Sequence, residues 1–178
     1  LHLGHAMSAV LAHDFGHARG GRFLLRIEDI DPGRTREEHV SAIEEDLRWL
    51  GLDWNGPVVR QSARLDLYAA ALERLKEDGL VYPCFCTRAD IARSVAAPHG
   101  PEGPLYPGTC RVLTTPDLAR PHAWRLDVAK SMKRAGPLAW VDHGREIAAQ
   151  PALLGDVVLA RKDAPVSYHL AVTVDDAD

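Results

Sequence analysis

The sequence predicts an α/β layered fold, and three observations carry that prediction. Helical patterns with a single apolar face alternate with short apolar runs of strand length. Glycines stand where the helical periodicity ends, at Gly20-Gly21, Gly51 and Gly79. With 46% apolar and 26% charged residues in 178 positions, the chain can bury one sizeable core. Such alternation implies crossover connections between strands of a shared sheet.

Taken in order, residues 5–18 suit a helix that ends at the glycine pair. Phe23-Leu24-Leu25-Arg26-Ile27 is an apolar run bounded by glycine and acidic residues, as a buried strand requires. Thr35-Arg36-Glu37-Glu38 matches a capping box and opens a helix with Val40, Ile43, Leu47 and Leu50 on one face. Ser62 is expected to cap a third helix carrying Leu65, Tyr68, Leu72 and Leu75, followed by a strand at Leu80-Val81-Tyr82. At Pro83 the composition changes. All three cysteines and more than half of the twelve prolines fall between there and His122, which reads as a small inserted subdomain. Ala123–Val128 alternates like a half-exposed strand, and Val166–Val174 reads as a buried strand returning to the first layer.

Two constellations carry chemistry. The first is His2-Leu3-Gly4-His5, directly before the apolar helical positions Met7, Val10 and Leu11. Imidazoles at a helix N-terminus can donate to phosphate oxygens, the helix end adds orphan N–H groups, and the glycine lets a nucleotide approach the backbone. ATP handling is the expectation. At the carboxyl edge of an open α/β sheet, such a helix start occupies the usual ligand position. The second constellation is Cys84-Phe85-Cys86 with Cys110. An odd, closely spaced set argues against a disulfide framework and for three corners of a tetrahedral zinc site. From the residues alone the fourth ligand stays open among His99, His122 and Tyr106. The net charge of −4 gives no global pull toward nucleic acid, although Arg88, Arg93 and Arg111, or Arg161 and Lys162, could meet phosphates locally. No apolar run reaches membrane-spanning length, and a cytoplasmic protein is expected.

With these residues laid out, the chain resembles the glutamyl/glutaminyl branch of class I aminoacyl-tRNA synthetases. His2-Leu3-Gly4-His5 corresponds to the HIGH signature of that class, and Phe23–Asp31 resembles the strand and loop that follow it in glutamate-specific enzymes. Trp49–Trp54, Arg60-Gln61-Ser62 and Tyr168–Asp176 extend the likeness in the expected order over nearly the whole chain. Within the branch, the short link from Trp54 to Arg60 and the Cys-x-Cys…Tyr-x-x-x-Cys arrangement are most similar to the short glutamyl-queuosine paralogues. Those act on tRNA(Asp) and lack an anticodon-binding domain.

The resemblance implies a Rossmann-type parallel sheet with an inserted acceptor-stem-like, zinc-binding subdomain. On that basis residues 1–82 form the first Rossmann half, 83–164 the insertion, and 165–178 the start of the second half. It implies activation of L-glutamate by ATP with Mg2+, followed by transfer to queuosine in the tRNA(Asp) anticodon, by an enzyme expected to be monomeric. His2 and His5 would stabilise the α-phosphate, Gly4 would leave room for the nucleotide, and Glu28 would meet the substrate α-amino group. Tyr168 would bind substrate, and Cys84, Cys86, Tyr106 and Cys110 would hold one structural zinc. It also implies that ordinary glutamyl-tRNA synthetases need tRNA for activation whereas the queuosine paralogues do not.

The chain opens at Leu1 almost inside the first motif and closes at Asp178 directly after an apolar run, so it reads as part of a longer protein. The Arg-Phe-Ala-Pro-Ser segment and the KMSKS-type loop of the family have no counterpart here. Lys130–Arg134 resembles that loop only superficially, because it precedes the expected second Rossmann half. As it stands, the chain is expected to be catalytically weak or inactive.

Overall fold

The computed structural model describes residues 1–31, 33, 35–93, 99, 100 and 103–178, with the backbone alone at 99, 100, 103 and 104. The chain forms two compact units, Leu1–Leu65 and Asp66–Asp178.

In the first unit, helix α1 (Leu3–His17) precedes strand β1 (Arg26–Ile27), helix α2 (Glu37–Trp49), strand β2 (Val59–Arg60) and a 3₁₀ turn at Gln61–Arg64. β1 and β2 pair in parallel, Arg26 with Val59 and Ile27 with Arg60, so α2 is the crossover that the sequence implied. The ladder is short, but the chain before β1 is also tied down. Val59 N–H donates to Leu25 O at 2.9 Å, Asn55 N–H to Phe23 O at 2.7 Å, and Phe23 N–H to Asn55 Oδ1 at 2.9 Å. Val40 and Leu47 of α2 are buried, as are Ile27 and Leu52. Gly51, at φ 76°, ends α2 in the left-handed conformation expected of a C-terminal glycine.

Two caps differ from expectation. The N-cap of α2 is Arg36, without a side-chain cap bond, while Thr35 donates its hydroxyl back to Asp31 O at 3.0 Å. Glu37 and Glu38 in the first turn supply the favourable charge instead. Ser62 lies inside the 3₁₀ turn rather than capping a helix, because its N–H and hydroxyl are both taken by Asp29. Leu3, Met7, Leu11 and Phe15, spaced four apart along α1, form an exposed apolar stripe.

Helix α3 (Leu65–Glu77) leads into the second unit, followed by strand β3 (Val81–Cys84), helix α4 (Arg88–Arg93) and the short strands β4 (His99–Gly100) and β5 (Gly103–Pro104). Strand β6 (Ala123–Leu126), helix α5 (Val128–Ala135), strands β7 (Ala139–Asp142) and β8 (Arg145–Ala148), strand β9 (Val158–Ala160) and helix α6 (Tyr168–Asp176) complete it. The central sheet runs β3-β6-β9 and is antiparallel throughout. Parallel pairing among the described residues is confined to β1 and β2. β7 and β8 form a hairpin whose two-residue turn has both His143 (φ 46°) and Gly144 (φ 77°) in the left-handed region, as a type I′ turn requires.

The buried Asp156 carboxylate organises this unit. It accepts from the Tyr82 hydroxyl on β3 and from Val128 N–H at the start of α5, and Arg111 lies 3.5 Å away. Tyr68 on α3 is fully buried, with its hydroxyl 2.9 Å from Asp175 on α6.

The expected strand at Val166–Val174 is a helix. Ser167 accepts from Leu170 N–H as its N-cap, its own N–H donates to Leu159 O at 2.8 Å, and Leu170 and Ala171 supply the buried face. Lys130–Arg134 lies within α5, which Asp127 caps through Lys130 N–H. Among the described residues, no helix is long and apolar enough to cross a membrane.

Candidate active site and metal centre

The His-Leu-Gly-His segment builds its site at the start of α1 from its own backbone. His2 is the N-cap, in extended conformation, and its Nδ1 accepts from Gly4 N–H at 3.1 Å and His5 N–H at 3.4 Å. His2 N–H in turn donates to His5 Nδ1 at 3.4 Å, a capping box made of two histidines. The rings stack with centroids 3.6 Å apart and planes 23° apart. Because both Nδ1 atoms accept, each neutral ring carries its proton on Nε2. Among the described residues neither Nε2–H has a partner, so two parallel donors stand beside the helix N-terminus.

Gly4 has a structural reason of its own. A Cβ there would lie 3.0 Å from His2 Cε1 and 3.2 Å from His2 Nδ1, against the stacked ring itself. The small residue therefore makes room for the His2 ring.

Glu28 follows β1 and lies 3.4 Å from Arg26 Nη2. It lines a pocket of about 300 Å³ together with Arg26, Asp29, Arg36, His39 and Ile43. Sequence reasoning missed Asp29 beside it. This buried carboxylate accepts from Ser62 N–H at 2.8 Å and from the Ser62 hydroxyl at 2.7 Å, fixing the loop that carries Glu28. Arg60 and Glu37 form a two-point ion pair, 2.7 Å at Nη2–Oε2, which lowers the Glu37 carboxyl through hydrogen bonding and charge. In the second unit, Tyr168 is the first residue of α6 rather than a strand residue. It is half exposed and sits edge-on to the His169 ring.

The three cysteines converge as their spacing predicted. Their sulfurs lie within 4.8 Å of one another, with Cys86 and Cys110 Sγ 3.6 Å apart. Four ligands at zinc–thiolate distance around a tetrahedron would stand about 3.8 Å apart. Tyr106 joins the group: its hydroxyl lies 3.5 Å from Cys86 Sγ and accepts from Cys110 N–H at 2.8 Å. His122 turns its Nδ1 to Arg120 O at 2.8 Å and is not among the converging ligands, while the His99 side chain lies outside the described residues.

Burial alone would push the Cys110 thiol up. Hydrogen bonds from the Tyr106 hydroxyl, Phe85 N–H and Cys86 outweigh it and bring the thiol down to about 7. Burial raises Cys86, and burial with hydrogen bonding to the three sulfurs holds the Tyr106 phenol above its ordinary range.

Two cations that sequence reasoning did not assign to this site offset the negative charge of such a donor set. Arg125 donates Nε–H to Cys84 Sγ at 3.3 Å with its guanidinium 4.1 Å from the Tyr106 ring centroid, and Lys162 donates to Phe85 O at 2.7 Å. The donors, buried except for the half-buried Cys86, and their supporting cations fit a tetrahedral thiophilic ion. Several of the basic residues considered for RNA are already engaged, Arg93 with Asp90, Arg111 with Asp156 and Arg161 with Asp163.

Comparison with known proteins places the chain in a family. Residues 1–178 match the family model for the catalytic domain of class I tRNA synthetases (E and Q). Curated proteins called glutamyl-Q tRNA(Asp) synthetase are similar throughout. Those of Rhodobacter capsulatus and Nocardia farcinica are each 47% identical, and that of Symbiobacterium thermophilum 45%. Each comparison covers 99% of this chain, and 68%, 56% and 58% of the respective relatives, so the chain spans somewhat over half the length of these proteins. The glutamate tRNA ligase of Elizabethkingia meningosepticum, solved with its amino acid, superposes with a TM-score of 0.73 at 26% identity. That comparison covers 99% of this chain and 39% of the other. The chain belongs to the catalytic-domain family of class I tRNA synthetases, in the glutamate and glutamine branch.

Proposed function

We propose that this chain carries the glutamate-activating part of a glutamyl-queuosine tRNA(Asp) synthetase. The reaction begins with attack of a glutamate carboxylate oxygen on the α-phosphorus of ATP. The bond from the α-phosphorus to the bridging oxygen breaks, pyrophosphate leaves, and glutamyl-adenylate forms; Mg2+ would accompany ATP as part of the substrate. The acceptor on queuosine in the tRNA(Asp) anticodon then attacks the acyl carbon, and AMP departs. No covalent enzyme intermediate is required. Positioning and charge stabilisation carry the rate.

The observation that supports this reading best is the reciprocal histidine cap. It aims the Nε2–H groups of His2 and His5 away from the backbone, where they can donate to non-bridging oxygens as charge builds on the α-phosphate. Gly4 keeps that surface low. Glu28 receives the substrate ammonium, with Asp29 and Ser62 holding its loop, and Tyr168 contributes to substrate binding from the start of α6. Cys84, Cys86, Tyr106 and Cys110 bind one structural zinc. The ion would stabilise a loop-rich segment that has little core of its own. The choice of queuosine as acceptor is supported by the names and the 45–47% identity of the relatives.

Glutamate-dependent exchange of pyrophosphate into ATP, run on the full-length protein with and without tRNA, tests this reading. Exchange without tRNA is the expected result. Exchange that needs tRNA would assign a conventional glutamyl-tRNA synthetase, and no exchange in either condition would leave only a nucleotide- or RNA-binding module.

A further inference from the structure

The proposed activity uses the histidines at the start of α1 and leaves a second pair at its far end without a role. His13 and His17 are four residues apart on one helix face, with ring centroids 4.2 Å apart, and Asp53 follows α2. One ligand atom from each of the three lies within 4.8 Å of the others. At 1.5 Å per residue this group is about 17 Å along α1 from His2 and His5, so it is a separate place on the helix.

The detailed geometry is that of a metal-binding histidine. His13 Nδ1 lies 3.2 Å from Asp14 Oδ1, which fixes the ring and leaves Nε2 to face outward. Nε2 in turn lies 3.4 Å from Asp53 Oδ1. Nε2 and Asp53 Oδ1 are thus within hydrogen-bonding reach of each other, and a cation between them would take the place of a proton. Ligands about 2.0–2.1 Å from a tetrahedral ion stand about 3.3 Å apart, which matches that separation. The platform is preorganised: the Phe23 ring lies edge-on to His13 at 5.4 Å, and Asn55, two residues past Asp53, is hydrogen-bonded to Phe23 through both backbone and side chain.

We propose that His13, His17 and Asp53 form a binding site for a divalent transition-metal ion of the zinc, cobalt or nickel class. Two imidazoles and one carboxylate suit these borderline ions and not Mg2+ or Ca2+, which prefer oxygen alone. A water completes the coordination at this open surface position. The ion clips the end of α1 to the segment after α2.

The test uses the full-length protein with its cysteine cluster first saturated with zinc, then titrated with Co2+ and followed by visible absorption. The expected result is one further equivalent of cobalt with a tetrahedral ligand-field band and no sulfur-to-cobalt charge-transfer band. An excess of Mg2+ leaves it in place. His17→Ala and Asp53→Asn abolish or strongly weaken this binding, and Asp14→Asn weakens it roughly tenfold. All three changes lie at exposed side chains, and circular dichroism checks that the fold is kept. Absence of a further equivalent, a sulfur charge-transfer band, or binding unchanged in both His17→Ala and Asp53→Asn would overturn the proposal.

Discussion

Replacing His2 separates the capping of α1 from the phosphate donation that the proposed function assigns to the same side chain. Its Nδ1 takes one hydrogen bond at 3.1 Å and a longer one at 3.4 Å, so truncation exposes two of the four N–H groups that a helix start leaves unpaired. His2→Ala is expected to lose about 1 kcal/mol, as is typical of a removed N-cap. At this chain length that corresponds to a fall of roughly 2–4 °C in Tm. Asparagine is a strong N-cap with an acceptor that can reach the same N–H groups, so His2→Asn should recover the stability to within a few tenths of a kcal/mol. It cannot recover the outward Nε2–H. Both variants should therefore lose about 10²–10³-fold in glutamate-dependent pyrophosphate exchange, the usual consequence of removing one donor to a developing charge. Thermal unfolding and exchange kinetics on the same preparations separate the two effects. Recovery of exchange by His2→Asn would refute the phosphate role, and an unchanged Tm in His2→Ala would refute the cap.

Other perturbations have equally definite outcomes. Cys110→Ser should reduce zinc content to well below one equivalent by elemental analysis, whereas His122→Ala, outside the cluster, should leave it unchanged. Asp29→Ala leaves the Ser62 N–H and hydroxyl without their partner and should destabilise by about 1–3 kcal/mol in urea unfolding. Hydrogen bonds from Thr87 N–H and the Thr87 hydroxyl, then from Arg93, hold the Asp90 carboxyl at about 2. A lowered folded-state pKa stabilises above the ordinary carboxylate range, so the cap of α4 should hold at pH 5 and be lost as pH falls from about 4 toward 2. Carboxyl chemical shifts followed through an acid titration check this, and an Asp90 midpoint near 4 would contradict it.

What could be read from the sequence was local or periodic. The start of α1, the crossover through α2, the Gly51 stop and the cysteine convergence all have signals within a few residues or a fixed spacing. The Thr35 capping box and the Ser62 cap were plausible by the same local rules. Both gave way to partners the sequence does not announce: Thr35 turns back to Asp31, and Ser62 pairs with Asp29, 33 residues earlier. Asp156 likewise gathers Tyr82 and Val128 from positions 74 and 28 residues away, with no pattern to mark it.

Val166–Val174 shows the opposite failure. Its β-branched residues suit a strand, but the Ser167 cap and the burial of Leu170 and Ala171 make it a helix. Tyr168 thereby moves from a strand interior to a helix start. Leu80-Val81-Tyr82 was expected among the strands joined by crossovers to the first layer, yet β3 pairs antiparallel with β6, a strand from the segment read as an insertion. His13, His17 and Asp53 carried no pattern that singled them out, because Asp53 lies 36 residues beyond His17 in the chain.

The most direct test of the central claim is transfer of labelled glutamate by the full-length protein to purified tRNA(Asp), with and without queuosine, alongside tRNA(Glu). Label confined to queuosine-containing tRNA(Asp), and retained after removal of its 3′ end, is the predicted result. Label on the 3′ end of tRNA(Glu) would contradict it.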